Sequence, residues 1–137
     1  FDLYGINNIQ PIWADSFLKS ISNAKMGVNL SRGDPTKYYS SDRITQLIGN
    51  GLLTFIHKDT FYNNFFTNKE IIFYSSLSNL SEEIQKFAKD DKERRKIAKN
   101  GKKKYMQFFN STVVADFIIN NTFDIKYKKN KYMWENK

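Results

Sequence analysis

An α/β domain, built as three α/β/α layers around a parallel sheet, is the fold class the sequence predicts, and three observations predict it. Short β-rich runs alternate along the chain with longer segments of helical period, the pattern of strands joined through helices. Two of those runs, residues 52–57 and 71–75, are apolar enough to be buried on both faces, as parallel strands are. The 137 residues are one domain's worth, long enough to bury roughly two-thirds of the unfolded surface without help from metal or disulfide.

Taken in order, residues 1–5 read as a first strand ending at Gly5, and residues 9–13 as a second short one. Asp15 or Ser16 caps a short helix whose apolar positions Phe17, Leu18 and Ile21 recur at helical spacing. Residues 25–31 give the next strand, and Arg32-Gly33-Asp34-Pro35-Thr36-Lys37 must be a loop leaving its carboxyl end. Ser40 or Ser41 then caps a helix with Asp42 in its first turn. Its buried stripe is Ile44, Leu47 and Ile48, and Gly49-Asn50-Gly51 is its left-handed exit. The strands at 52–57 and 71–75 follow, with Phe61, Tyr62, Phe65 and Phe66 between them as an aromatic turn packed on the sheet edge. From Leu80 the period is helical again, with Ser78 or Ser81 as cap and Leu80, Ile84, Phe87 and Ala88 facing inward. Asp90 and Asp91 open another helix with the stripe Ile97, Gly101, Tyr105 and Phe108. Residues 111–121 continue helically through Val113, Val114, Phe117 and Ile118. With no repeat and no low-complexity linker, the expected division is a domain over 1–123 and a basic tail over 124–137.

Composition narrows the chemistry. The absence of cysteine excludes disulfides, thiol catalysis and zinc knuckles, and a single histidine, His57, cannot build a histidine metal cage. No apolar run approaches the roughly 20 residues of a membrane-spanning helix, and the opening at Phe1, without a start methionine or a signal-peptide pattern, predicts an excised fragment. Residues 1–85 carry 7 Lys and Arg against 8 Asp and Glu, whereas 86–137 carry 15 against 6, so the net charge of +8 sits in the last third. Such a surplus suits nucleic acid or anionic headgroups. Its interleaving with Asp90, Asp91 and Glu93 suits a solvated helix face better.

In open α/β sheets ligands bind beyond the carboxyl ends of the strands, where helix amino termini offer unpaired N–H groups to phosphates. The segment Tyr38-Tyr39-Ser40-Ser41-Asp42-Arg43 places hydroxyls, a guanidinium and a helix start within one turn, which fits an anionic diphosphate. Gln46, one turn on, projects on the same side and offers an amide to a ribose hydroxyl. A serine-rich, acidic start is equally the signature of an ordinary capped helix. The other candidates are weaker: His57-Lys58-Asp59 as a loop base, and Glu82-Glu83, whose side chains point about 100° apart on a helix. Lys102-Lys103-Lys104-Tyr105 and the run from Lys126 to Tyr132 interleave bases and aromatics as single-strand binders do, but in the first run the aromatic belongs to the buried stripe. Neither a phosphate-loop motif nor Gly-x-Gly-x-x-Gly occurs.

The order of these pieces resembles the carboxy-terminal domain of group 1 glycosyltransferases, in the variety that includes spore-maturation-protein-like sequences. The likeness runs from Phe1 to about Phe123 and is carried by Asp2-Leu3-Tyr4-Gly5, by Ala24 to Ser31, and by Ser41-Asp42-Arg43 with Gly51-Leu52-Leu53-Thr54 downstream. It continues in Asn68 to Tyr74, Leu80 to Ile84 and Asp91 to Gly101. The resemblance implies one half of a GT-B architecture, a Rossmann-like domain that holds a nucleotide-sugar donor, with the domain's own first strand and helix absent. It implies metal-independent transfer of a hexosyl unit to a glycan or glycoconjugate, in cytoplasmic assembly of a bacterial surface polysaccharide. The donor is a substrate and no cofactor is expected. The separate acceptor-binding domain would complete the active site, so this fragment alone is expected to be inactive and its catalytic residues are not assigned. The implied donor-binding residues are Tyr39, Ser40, Ser41, Asp42, Arg43 and Gln46. Gln46 stands where the family commonly has a ribose-binding glutamate, and Tyr38 where the first glutamate of the familiar pair would fall. Peripheral contact with the inner face of a membrane is the further partner expected, and no specific nucleic acid. The alternative reading is a noncatalytic α/β binding module that uses its basic last third on nucleic acid or an anionic membrane.

Overall fold

The computed structural model describes residues 8–30, 33–39 and 42–136. The strand expected at 1–5 and the capping serines Ser40 and Ser41 lie outside the described residues. Three strands, β1 (Met26–Asn29), β2 (Leu53–His57) and β3 (Ile72–Tyr74), form a parallel sheet in the order β1-β2-β3. Val28 stands opposite Phe55, and Phe55 opposite Ile72. Among the described residues five α-helices accompany them: α1 (Ala14–Asn23), α2 (Arg43–Asn50), α3 (Leu77–Lys89), α4 (Asp91–Phe108) and α5 (Ser111–Thr122). The expected α/β class, with a parallel sheet covered on both faces, is what forms.

Alternation along the strands divides the interior into two cores. Leu53, Phe55, Ile72 and Tyr74 point to one face, where Leu80 and Phe87 of α3 and Ile97 and Ala98 of α4 cover them. Ile56 points to the other, against Ile44 and Ile48 of α2 and the buried Phe65 and Phe66, with Tyr105, Phe109 and Trp134 packed around them. Close approach of α2 to the sheet requires a glycine in β1, since a Cβ on Gly27 would overlap the Leu47 side chain.

Helix α4 contributes to both cores because it passes beneath the amino ends of the strands. Asn100 Nδ2 donates to the Lys69 carbonyl at 3.1 Å, and Gly101 lies so near the Glu70 carbonyl oxygen that a Cβ would collide with it. Lys104 Nζ sits 3.7 Å from the Glu70 carboxylate. The amino end of β3 is thereby covered by α4.

Several boundaries differ from expectation for identifiable reasons. Residues 9–13 make no strand; α1 begins at Ala14, with Trp13 at the cap position and no side-chain cap from Asp15 or Ser16. Ser76, not Ser78 or Ser81, caps α3: its hydroxyl accepts the Asn79 N–H at 3.1 Å, which starts the helix three residues ahead of the first buried leucine. Ala88 is exposed. Asp42 precedes α2 with helical backbone and without a side-chain cap, while Gly51 closes the helix in the left-handed conformation, φ 81°. The aromatic segment is two 3₁₀ turns, Lys58–Thr60 and Tyr62–Asn64, hinged at Phe61 with φ 58°; Phe65 and Phe66 are buried and Phe61 is exposed. In α5, Val114 and Ile118 face outward although they share its apolar sequence pattern.

Residues after α5 fold back on it. Tyr132, 1% exposed, donates its hydroxyl to Asp116 Oδ2 and accepts from Asn120 Nδ2, both at 2.7 Å. Lys131 Nζ pairs with Asp116 at 2.6 Å, and the Phe117 ring meets Tyr132 and Trp134 edge-on.

Candidate functional site

The carboxyl ends of β1, β2 and β3 open into a cleft of about 240 Å³ lined by Leu30, Gly33, Pro35, His57, Tyr74, Ser76 and Leu77. Each strand brings the chain to this end and a loop or helix start takes it away. Leu30 and Gly33 follow β1, His57 closes β2, and Ser76 begins α3.

Arg43 joins the amino terminus of α2 to this end of the sheet. Its Nη1 donates to the Leu30 carbonyl at 2.8 Å, its side chain is exposed, and among the described residues no carboxylate pairs with it. A guanidinium carries five N–H donors, so this bond leaves most of its fork for another acceptor. Asp42 goes elsewhere: with Thr45 it lines a second cleft, also about 240 Å³, walled by Tyr62, Phe65, Phe66, Tyr105 and Phe109. Thr45 and Tyr105 share a 2.8 Å hydrogen bond that fixes α2 on α4. Gln46 is half-buried on α2, and its backbone N–H bonds to the Asp42 carbonyl at 3.3 Å. The expected cluster is therefore divided, with Arg43 toward the strand ends and Asp42 toward the aromatic cleft.

Tyr39 is exposed in the loop between β1 and α2, its N–H on the Thr36 carbonyl at 3.0 Å. Its neighbour Tyr38 anchors that loop. The Tyr38 N–H donates to Thr60 O at 2.8 Å, its hydroxyl accepts from Asn64 Nδ2 at 2.7 Å, and its ring lies 5.4 Å from that of Phe65. Where the resembled family would place a carboxylate, this chain has an aromatic strut with φ 59°.

His57 has both ring nitrogens engaged. Nδ1 accepts the Asp59 N–H at 3.2 Å, which puts the proton on Nε2, 3.2 Å from the Ser75 carbonyl. The ring ties the ends of β2 and β3 together and packs edge-on against Tyr74, so its geometry is that of a brace rather than a free base. Glu83 pairs with Lys86 at 3.2 Å and Glu82 is exposed, so the two form no carboxylate pair. Lys104 is held by Glu70 and the Phe66 ring; Lys102 and Lys103 are solvated. Burial pushes the Glu70 carboxyl upward, but the Thr67 hydroxyl and N–H together with Lys104 hold it below its ordinary value. Among the described residues no three His, Asp or Glu side chains gather as metal ligands would.

Ser76 and Leu77 are cleft residues that the sequence pattern does not mark, because the apolar helical period begins only at Leu80. The signal available was Ser76 followed three residues later by Asn79, directly after an apolar run.

A three-stranded parallel sheet flanked by helices on both faces, with a cleft at its carboxyl ends, is a Rossmann-like α/β arrangement. The glycosyl transferase-like family is matched over residues 1–120, and the chain belongs to that family. No curated protein and no solved structure matches it at a significant level.

Proposed function

We propose that the chain is the donor-binding domain of a glycosyltransferase and that the diphosphate of a nucleotide sugar lies at the carboxyl end of its sheet. The observation that supports this most is the reach of Arg43 to the Leu30 carbonyl, which sets a cation that no described carboxylate pairs with, and the first turn of α2, beside the cleft at the strand ends. Donors of that first turn and the guanidinium together can neutralise a departing diphosphate, so the reading needs no metal. Ser40, Ser41 and Tyr39 are the hydroxyl donors proposed beside it, with Gln46 on the ribose.

The cleft is smaller than the roughly 300–1,000 Å³ of a complete small-molecule site, as one wall of a two-domain cleft would be. On this reading a separate GT-B acceptor domain supplies the opposite wall and the catalytic base. The chain alone binds donor without turning it over, and transfer serves cytoplasmic assembly of a bacterial surface glycan.

The test is titration of the chain with uridine, guanosine, adenosine and thymidine diphosphates, followed by amide chemical shifts. One of them should shift residues 42–46 and the amides of Gly33 and Ser76. Arg43→Ala removes one charge-assisted contact and should weaken that nucleotide roughly ten- to a hundredfold, with only a small fall in melting temperature from the lost bond to Leu30. Silence of those amides toward all four at millimolar concentration would remove the assignment.

A further inference from the structure

We propose that the aromatic cleft beside the start of α2 is a binding site for a small organic ammonium ion, separate from the cleft at the strand ends. Its walls are Tyr62, Phe65, Phe66, Tyr105 and Phe109. Asp42 and Thr45 also line it, and their three-residue spacing at the start of α2 puts a carboxylate and a hydroxyl on one face of that helix. The Phe66 and Tyr105 rings each stack on Phe109, with centroids 5.5 and 5.6 Å from it, and Phe65 meets it edge-on at 5.9 Å, so the rings brace one another.

Asp42 sets the sign of the ligand. Its backbone is helical and its side chain caps nothing, and among the described residues its carboxylate meets no cation. The adjacent cation, Arg43, reaches to the Leu30 carbonyl, and Lys104 is held by Glu70 and the Phe66 ring. The α2 dipole puts about half a positive charge at this end of the helix. The full negative charge of Asp42 outweighs it, so the field at the cleft favours a cation.

The rest of the cleft fits the same occupant. Aromatic walls attract an ammonium group through the negative charge of their ring faces, and more strongly where water is excluded. The Thr45 and Tyr105 hydroxyls share a 2.8 Å hydrogen bond that leaves lone pairs on both oxygens to accept from N–H. A cavity of roughly 150 Å³ holds benzene. The cleft, at about 240 Å³, therefore takes one ring with a short aminoalkyl arm. An anion would be repelled by Asp42, and an uncharged ring would gain nothing from it.

The test is titration of the whole chain at neutral pH with benzylammonium chloride and, separately, with benzyl alcohol, its uncharged counterpart in shape, read by chemical shifts. Benzylammonium should shift Thr45, Tyr62, Tyr105 and Phe109 while Gly33 and Ser76, at the other cleft, stay in place. It should bind at least about fivefold more tightly than the alcohol. Asp42→Asn keeps the size of the side chain and removes its charge, and should lower benzylammonium affinity about fivefold, to the level of the alcohol. Tyr62→Leu keeps the wall apolar without its ring and should weaken benzylammonium by a similar factor, roughly fivefold. Silence of the cleft residues toward benzylammonium at millimolar concentration, equal binding of the alcohol, or unchanged affinity in either variant would overturn the proposal. Because the nucleotide titration is read at Gly33 and Ser76, failure of one site is seen independently of the other.

Discussion

Two glycines show how a single missing methyl group shapes this molecule. A Cβ at Gly101 would meet the Glu70 carbonyl, a backbone atom that cannot yield without moving the start of β3, whereas one at Gly27 would meet the flexible end of Leu47. Overpacking a core costs typically about 1–3 kcal/mol. Gly101→Ala should fall at or above the upper end of that range and Gly27→Ala near the lower, as chemical denaturation of the two variants can show; equal losses would mean that Leu47 is as fixed as the backbone. At this scale the sequence was legible only in part. Gly101 stands in the inward stripe that the sequence predicts, but the neighbour that demands it, Glu70, is 31 residues away along the chain and no local pattern announces it. Arg43 is legible by its place at a helix start, yet its bond to Leu30 and the placement of Asp42 at another cleft depend on how α2 rotates against the sheet.

Elements whose apolar period matches their burial were readable, and those that end on polar side chains were less so. The stripe Ile44, Leu47, Ile48 and the exit at Gly51 determine α2 almost alone. Helix α3 begins earlier than its period suggests, because the Ser76 hydroxyl satisfies an N–H that no apolar residue marks; Ser76→Ala should cost about 1 kcal/mol in the same denaturation assay. Helix α5 is legible as a helix but its outer face is not, since Val114 and Ile118 share the sequence character of Val113 and Phe117 but not their neighbours. The turn that returns along α5 carries a pH dependence. The Lys131 ammonium, and after it the Tyr132 hydroxyl, hold the Asp116 carboxyl below its ordinary value, and Asp116 in turn raises Lys131. A depressed carboxyl stabilises above its unfolded value, near pH 3.9, and that contribution disappears as pH falls through the folded one. Acid below about pH 4 should therefore release the 124–136 segment first, seen as a red shift of Trp134 emission in a Trp13→Phe background. Asp116→Asn should flatten that transition.

For the molecule as a whole, the alternation of strand and helix is enough to give the class, a parallel sheet and its two covered faces, because each depends on patterns that repeat along the chain. The path of α4 under the strands was not foreseeable from its amphipathic stripe, which says that a helix is buried on one side but not against which layer. That path has a further consequence for how the domain comes apart. Since Ile97 and Ala98 belong to one core and Tyr105 to the other, neither layer can melt while the other retains its share of α4. Subglobal openings that would otherwise peel one face away are suppressed, and the slowest-exchanging amides of β2, β3 and α4 should report one common opening free energy equal to that of global unfolding. Hydrogen exchange in graded denaturant would reveal it as merging isotherms; α1, which buries no residue, should exchange separately and far sooner.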